Sequence, residues 1–144
     1  MAGNRCVWHT IKPITLFIIL TLLGSGATLA NGLSPAQQAA VRTAQQYLKY
    51  SPFSKKQLIR QLASSAGKQY THATAQAAVA SLNVNWRHQA VRAAKRHIKY
   101  GNYTCNRLIL QLHSSAGAGF TMAQAKYGAR QTTLCSSNNT NGSN

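Results

Sequence analysis

The chain contains no aspartate and no glutamate. Its 144 residues carry sixteen lysines and arginines and a formal charge of +16, so no side-chain ion pair can form anywhere in it. The missing carboxylates exclude paired-carboxylate acid/base catalysis, a Ser-His-Asp triad and oxygen-ligand calcium or magnesium sites. They also exclude the acidic group that commonly orients a metal-bound histidine. An enzyme is not expected, and neither is a cofactor. A field of this sign attracts polyanions such as nucleic acid, anionic lipid, acidic wall polymers or an acidic protein. Strand-like alternation is missing too, so the periodicity that remains is helical. Cysteine is scarce, at three residues.

The first thirty residues read as a leader. Arg5 and Lys12 precede the apolar run Ile14 to Leu23, and Thr28-Leu29-Ala30 places small residues at a signal-peptidase site. The run is short for a membrane span, which needs about 20 residues. We expect residues 1–30 to be a cleaved signal peptide, the alternative being an uncleaved anchor. Export would leave Cys105 and Cys135 in the mature chain. An even count in an exported protein suggests a disulfide, with a free buried Cys105 as the alternative.

Beyond the leader, sliding the sequence by fifty residues superimposes it on itself. Val41-Arg42 falls on Val91-Arg92, Lys49-Tyr50 on Lys99-Tyr100, and Leu58-Ile59 on Leu108-Ile109. Ser64-Ser65-Ala66-Gly67 falls on Ser114-Ser115-Ala116-Gly117. Such a period is one supersecondary unit used twice. We expect an all-α fold of two tandem three-helix repeats, residues 31–82 and 83–135, with a disordered polar tail at 136–144. Each repeat is small enough for its own core to be marginal, so the copies should pack on each other.

In the first copy, Ser34 and Pro35 should open a helix to Tyr50 that buries Ala40, Val41, Ala44 and Leu48. Ser54 with Gln57 signals a capping box for a second helix, burying Leu58, Ile59 and Leu62 and closed by Gly67. A third helix should follow Thr71 and carry Ala73, Ala75, Val79 and Leu82. In the second copy Thr104 and Thr121 take the capping positions, and Gln124 completes the second box. Trp86, Phe53, Tyr103 and Phe120 read as core or inter-repeat packing.

These units share the endings Tyr47-Leu48-Lys49-Tyr50 and His97-Ile98-Lys99-Tyr100, the pairs Phe53-Ser54 and Tyr103-Thr104, and a Leu-Ile-x-Gln-Leu run. The second adds Gly119-Phe120-Thr121 and Gln124 to Gly128, with Trp86 and Gln89-Ala90 at its start. Over residues 36–134 the chain resembles the Ltp family of host cell surface-exposed lipoproteins, built from tandem helix-turn-helix-like repeats. The resemblance implies superinfection exclusion: display outside the cytoplasmic membrane and obstruction of genome injection through the phage tail tape-measure protein. The leader departs from that pattern, since Gly24 to Asn31 has no cysteine to carry a lipid. The charge departs too, and points to a partner that is an acidic macromolecule.

Arg92, Lys95, Arg96 and Lys99 are spaced to share one face of a helix, where the first copy has Arg42, Gln45, Gln46 and Lys49. Arg92, Lys95, Arg96, Lys99, Arg42 and Lys49 are the candidate partner-binding residues, an ordinary solvated face being the alternative. The helix placed to read DNA has no lysine or arginine in the first copy, only His72 and Gln76, and in the second only the late Lys126 and Arg130. Sequence-specific DNA binding is therefore not expected. Nonspecific phosphate contact through Lys55, Lys56 and Arg60 stays physically easy. A rival to the exclusion reading is a secreted cationic protein bound to anionic membrane, cell-wall polymer or nucleic acid. His72, His88, His97 and His113 lack the i, i+4 spacing of a helical metal pair and read as surface residues.

Overall fold

The structure is a computed structural model that describes residues 32–136. The expected leader and all but the first residue of the expected tail lie outside the described residues. Among the described residues seven helices follow in order: α1 Pro35–Tyr50, α2 Lys55–Ala63, α3 His72–Ala80, α4 Trp86–Tyr100, α5 Cys105–His113, α6 Met122–Arg130 and α7 Thr133–Ser136. There is no strand among the described residues, and the fold is all-α, with α1–α3 and α4–α6 as the two repeats. None of these helices is long and apolar enough to cross a membrane.

The starts follow from side-chain oxygens placed to accept the free N–H groups of the first turn. Ser34, Ser54, Thr71, Asn85, Thr104 and Thr121 all accept from the backbone three residues on. Ser34 with Gln37 and Thr121 with Gln124 close full capping boxes. At Ser54 only the hydroxyl half of the expected box forms, and Gln57 lines a hollow on another side of α2.

The ends differ more from expectation. Helix α2 stops at Ala63, and Gly67 lies beyond it in a turn closed by the Gly67 N–H on the Ser64 carbonyl at 3.0 Å. A Cβ on Gly67 would run into the Gln61 carbonyl oxygen, and one on Gly117 into that of Gln111, which accounts for the repeated Ser-Ser-Ala-Gly run. Two residues later the backbone is left-handed in both copies, with φ +66° at Gly119 and 54° at Gln69. Helix α3 ends at Ala80, so Leu82 packs on the core from the following loop, and Ala73 is exposed. Val41 and Ile59 are only partly covered.

Each repeat has its own core. Ala44, Leu48, Leu58, Leu62, Ala75 and Val79 form the first, with Phe53, Tyr70, Val84 and Trp86 packed on its edge. Ala90, Ala93, Ala94, Leu108, Leu112, Phe120, Ala125 and Ala129 form most of the second. A leucine fully withdrawn from water contributes roughly 1.5–3 kcal/mol, so the Leu58/Leu62 and Leu108/Leu112 pairs anchor the two units. In the second, Gly128 lets α6 approach α4 closely, since a Cβ there would lie 2.6 Å from the Ala90 carbonyl oxygen. The disulfide expected between Cys105 and Cys135 is present, with Cα atoms 5.1 Å apart, and ties α7 to the start of α5. The extensive helix pairs all lie within one repeat, and the copies pack on each other as expected but through smaller contacts, with Trp86 of α4 on the edge of the first core and the Gly119 turn beside Ser54.

Candidate functional site

The repeats are also joined by arginines donating to backbone carbonyls. The last carbonyls of a helix lack intrahelical partners and carry partial negative charge. In α4, Arg92 Nη1 donates to the Leu48 carbonyl at 2.7 Å and Nη2 to that of Lys49 at 3.4 Å, which caps the C-terminus of α1. Gln89 Oε1 accepts from the same Nη1 at 3.1 Å and steadies it. One turn on, Arg96 Nη1 donates to Ser51 Oγ at 2.9 Å. Farther along, Arg60 Nη1 of α2 reaches the Ser115 carbonyl in the second repeat at 2.9 Å.

These bonds divide the basic stripe. Arg92 and Arg96 are bonded to the first repeat, whereas Lys95 and Lys99 are exposed. Lys95, Arg96 and Lys99 border a shallow hollow of about 430 Å³ with Tyr50 and Tyr100. Both tyrosines are about three-quarters exposed. Lys49 lies 5.6 Å from the centroid of the Tyr50 ring and Lys99 5.2 Å from that of Tyr100, the same cation–π pair in each copy. Arg42 is exposed on α1 and borders no part of this hollow.

The larger concavity lies between the repeats, a cleft of about 960 Å³. From the first repeat α2 contributes Lys55, Lys56, Ile59 and Arg60, and α3 contributes His72 and Gln76. The second contributes His113, Phe120, Thr121 and Gln124, with Trp86 at the junction. Lys55, Lys56, Arg60, His72 and His113 are exposed around it, while Trp86 and Ile59 are half-buried and Phe120 is 2% exposed. The cleft thus has an apolar floor and a cationic rim. His113 Nδ1 donates to the Phe120 carbonyl at 3.0 Å, because a carbonyl only accepts, and this holds the ring at the cleft wall.

Among the described residues no group of three histidines or cysteines is placed to hold a metal. His97 sits away from the cleft, edge-on to Tyr103, whose hydroxyl is 3.4 Å from Nδ1. Burial, with the neighbouring Arg96 charge, holds its imidazole below the ordinary histidine value. Sequence reasoning singled out Lys55, Lys56 and Arg60 as phosphate contacts and Trp86 as packing, but not the cleft that unites them. The only signal for it was an aromatic residue at the repeat junction.

Two short three-helix units with a cleft between them define a helical tandem-repeat module. Residues 36–82 and 85–130 each match the family of host cell surface-exposed lipoproteins, Lipoprotein_Ltp, and the chain belongs to that family. Its fold is similar to the solved structure of Ltp, a superinfection exclusion protein from the Streptococcus thermophilus temperate phage TP-J34. The TM-score is 0.64 at 25% identity, over 70% of this chain and 99% of that one. No curated protein matches the sequence.

Proposed function

We propose that the protein is an envelope-associated exclusion module, held outside the cytoplasmic membrane, that obstructs injection of an incoming phage genome by binding a component of the injection apparatus. The observation that carries this reading is the match of both repeats to the surface-lipoprotein family, together with similarity over nearly the whole of a solved superinfection exclusion protein. The absence of carboxylates and the inter-repeat cleft support binding over catalysis. The partner is the phage tail tape-measure protein or another acidic macromolecule met at the same stage. Adsorption and genome injection, scored separately in host cells with and without the gene, test the reading. Normal adsorption with reduced phage DNA entry is expected, and undiminished entry would overturn it.

A second reading, a cationic protein resting on anionic membrane, wall polymer or nucleic acid, is favoured by the exposed Tyr50 and Tyr100 with their lysines, since amphipathic rings and cations suit a charged interface. In that case substitution of both tyrosines abolishes association with cells and leaves injection untouched.

A further inference from the structure

We propose that the inter-repeat cleft is a docking site for an acidic peptide segment that carries apolar side chains, presented by a protein partner. The inference deepens the exclusion reading, whose partner it describes, but the binding it predicts can be measured without phage.

Charge complementarity supplies the first half of the argument. Lys55 and Lys56 are exposed at the cleft, and with no carboxylate side chain in the sequence neither is neutralised from within. Arg60 is fixed in place by its bond to the Ser115 carbonyl, which uses one of the five N–H donors of a guanidinium. A carboxylate arriving here meets three cations, Lys55, Lys56 and Arg60, along one rim.

Shape and polarity supply the second half and choose among polyanions. Single-stranded nucleic acid held without sequence preference stacks its bases on exposed rings, and a duplex backbone would meet only the rim and leave the apolar floor uncovered. Here Phe120 is buried and Trp86 half-buried, both lining the floor. A lipid surface needs groups that protrude, as Tyr50 and Tyr100 do elsewhere on the molecule, and not a concavity. An amphipathic segment fits both features: apolar side chains enter against Ile59, Trp86 and Phe120 while acidic ones meet the rim. The volume, about 960 Å³, accommodates several side chains at once. Because the floor comes from both repeats, the bound segment also fixes the repeats relative to each other.

The test uses the purified full chain carrying Trp8→Phe, so that emission reports Trp86 alone, and a short synthetic peptide of glutamates bearing two leucines one helical turn apart, followed by its labelled anisotropy and by Trp86 emission. Binding with a change in Trp86 emission is expected. The Gln-for-Glu peptide and the all-Glu peptide without leucine should both bind more weakly. Lys55→Gln with Lys56→Gln should weaken binding about tenfold, as two rim ion pairs would, and Lys126→Gln with Arg130→Gln, on α6 away from the cleft, should leave it unchanged. Both pairs are exposed, so folding is not at risk. Equal weakening by the two double variants, loss of the leucine requirement, or displacement of the peptide by phosphatidylglycerol vesicles or duplex DNA at lower concentration would each overturn the proposal. Peptide binding in a protein that fails to block injection refutes the exclusion reading alone. Blocked injection without peptide binding refutes the cleft alone.

Discussion

Replacing Arg92 with glutamine removes the cation that caps α1 from the other repeat, and the size of the effect follows from its bonds. Nη1 donates at 2.7 Å to the Leu48 carbonyl, with a weaker bond from Nη2 to Lys49. Hydrogen bonds from charged donors contribute roughly 1.5–3 kcal/mol, and a cation at a helix C-terminus roughly 0.3–1 kcal/mol. Arg92 is half-buried, so solvent takes up part of the loss, and a destabilisation of about 1–2 kcal/mol is expected. Lys95→Gln and Lys99→Gln make the same change in charge on the same helix without breaking a bond to the first repeat. They should fall within about 0.5 kcal/mol of the parent, since each relieves like-charge repulsion and Lys99→Gln also gives up the Tyr100 ring contact. Urea unfolding should be followed both by Trp86 emission, which senses the first core, and by helical circular dichroism. Arg92→Gln should lower the midpoint at both signals. If all three variants unfold together, Arg92 is an ordinary surface residue and the polar join between repeats does not hold them.

Gly128→Ala should destabilise the second repeat by about 1–2 kcal/mol in thermal unfolding, as overpacking against Ala90 outweighs the gain in helix propensity. Gln69→Gly should stabilise the first repeat by up to about 1 kcal/mol, since a left-handed residue with a Cβ is strained there and the second copy already has Gly119. Reducing Cys105–Cys135, which encloses a sequence separation of 30, should lower the stability of the second repeat by about 3 kcal/mol and leave the urea midpoint of the Trp86 signal nearly unmoved. His97 has a folded value depressed below that of the unfolded chain, so the unfolded state binds the proton first as pH falls. Stability should therefore be full above the unfolded value near 6.5, decline as pH drops through it, and level off below the folded value. His97→Gln should flatten that slope in a pH series of unfolding midpoints.

Much of the helical grammar was legible because caps and apolar spacing are local. Ser34, Thr71, Thr104 and Thr121 each start a helix where their hydroxyls suggested, and the fifty-residue shift exposed the tandem design. Helix ends were less legible: a glycine marks where the turn needs room, which at Gly67 comes four residues after α2 has stopped at Ala63. The fates of Arg92 and Arg96 were not legible, since spacing along one helix shows which side chains share a face and not which foreign carbonyl waits opposite. For the same reason Lys55, Lys56 and Trp86 could be noticed singly, while the cleft between them depends on how one repeat is set against the other.

Contacts between residues near in sequence close small loops, and helical units built from them fold in microseconds to milliseconds. The extensive helix pairs here all sit within a single repeat, and the first core needs nothing later than Trp86 among its buried and flanking members. A chain threaded N-terminus first through a translocation pore would thus acquire a folded leading half while its trailing half was still inside. A folded half is too wide to slip back, so tandem construction gives such a passage a direction.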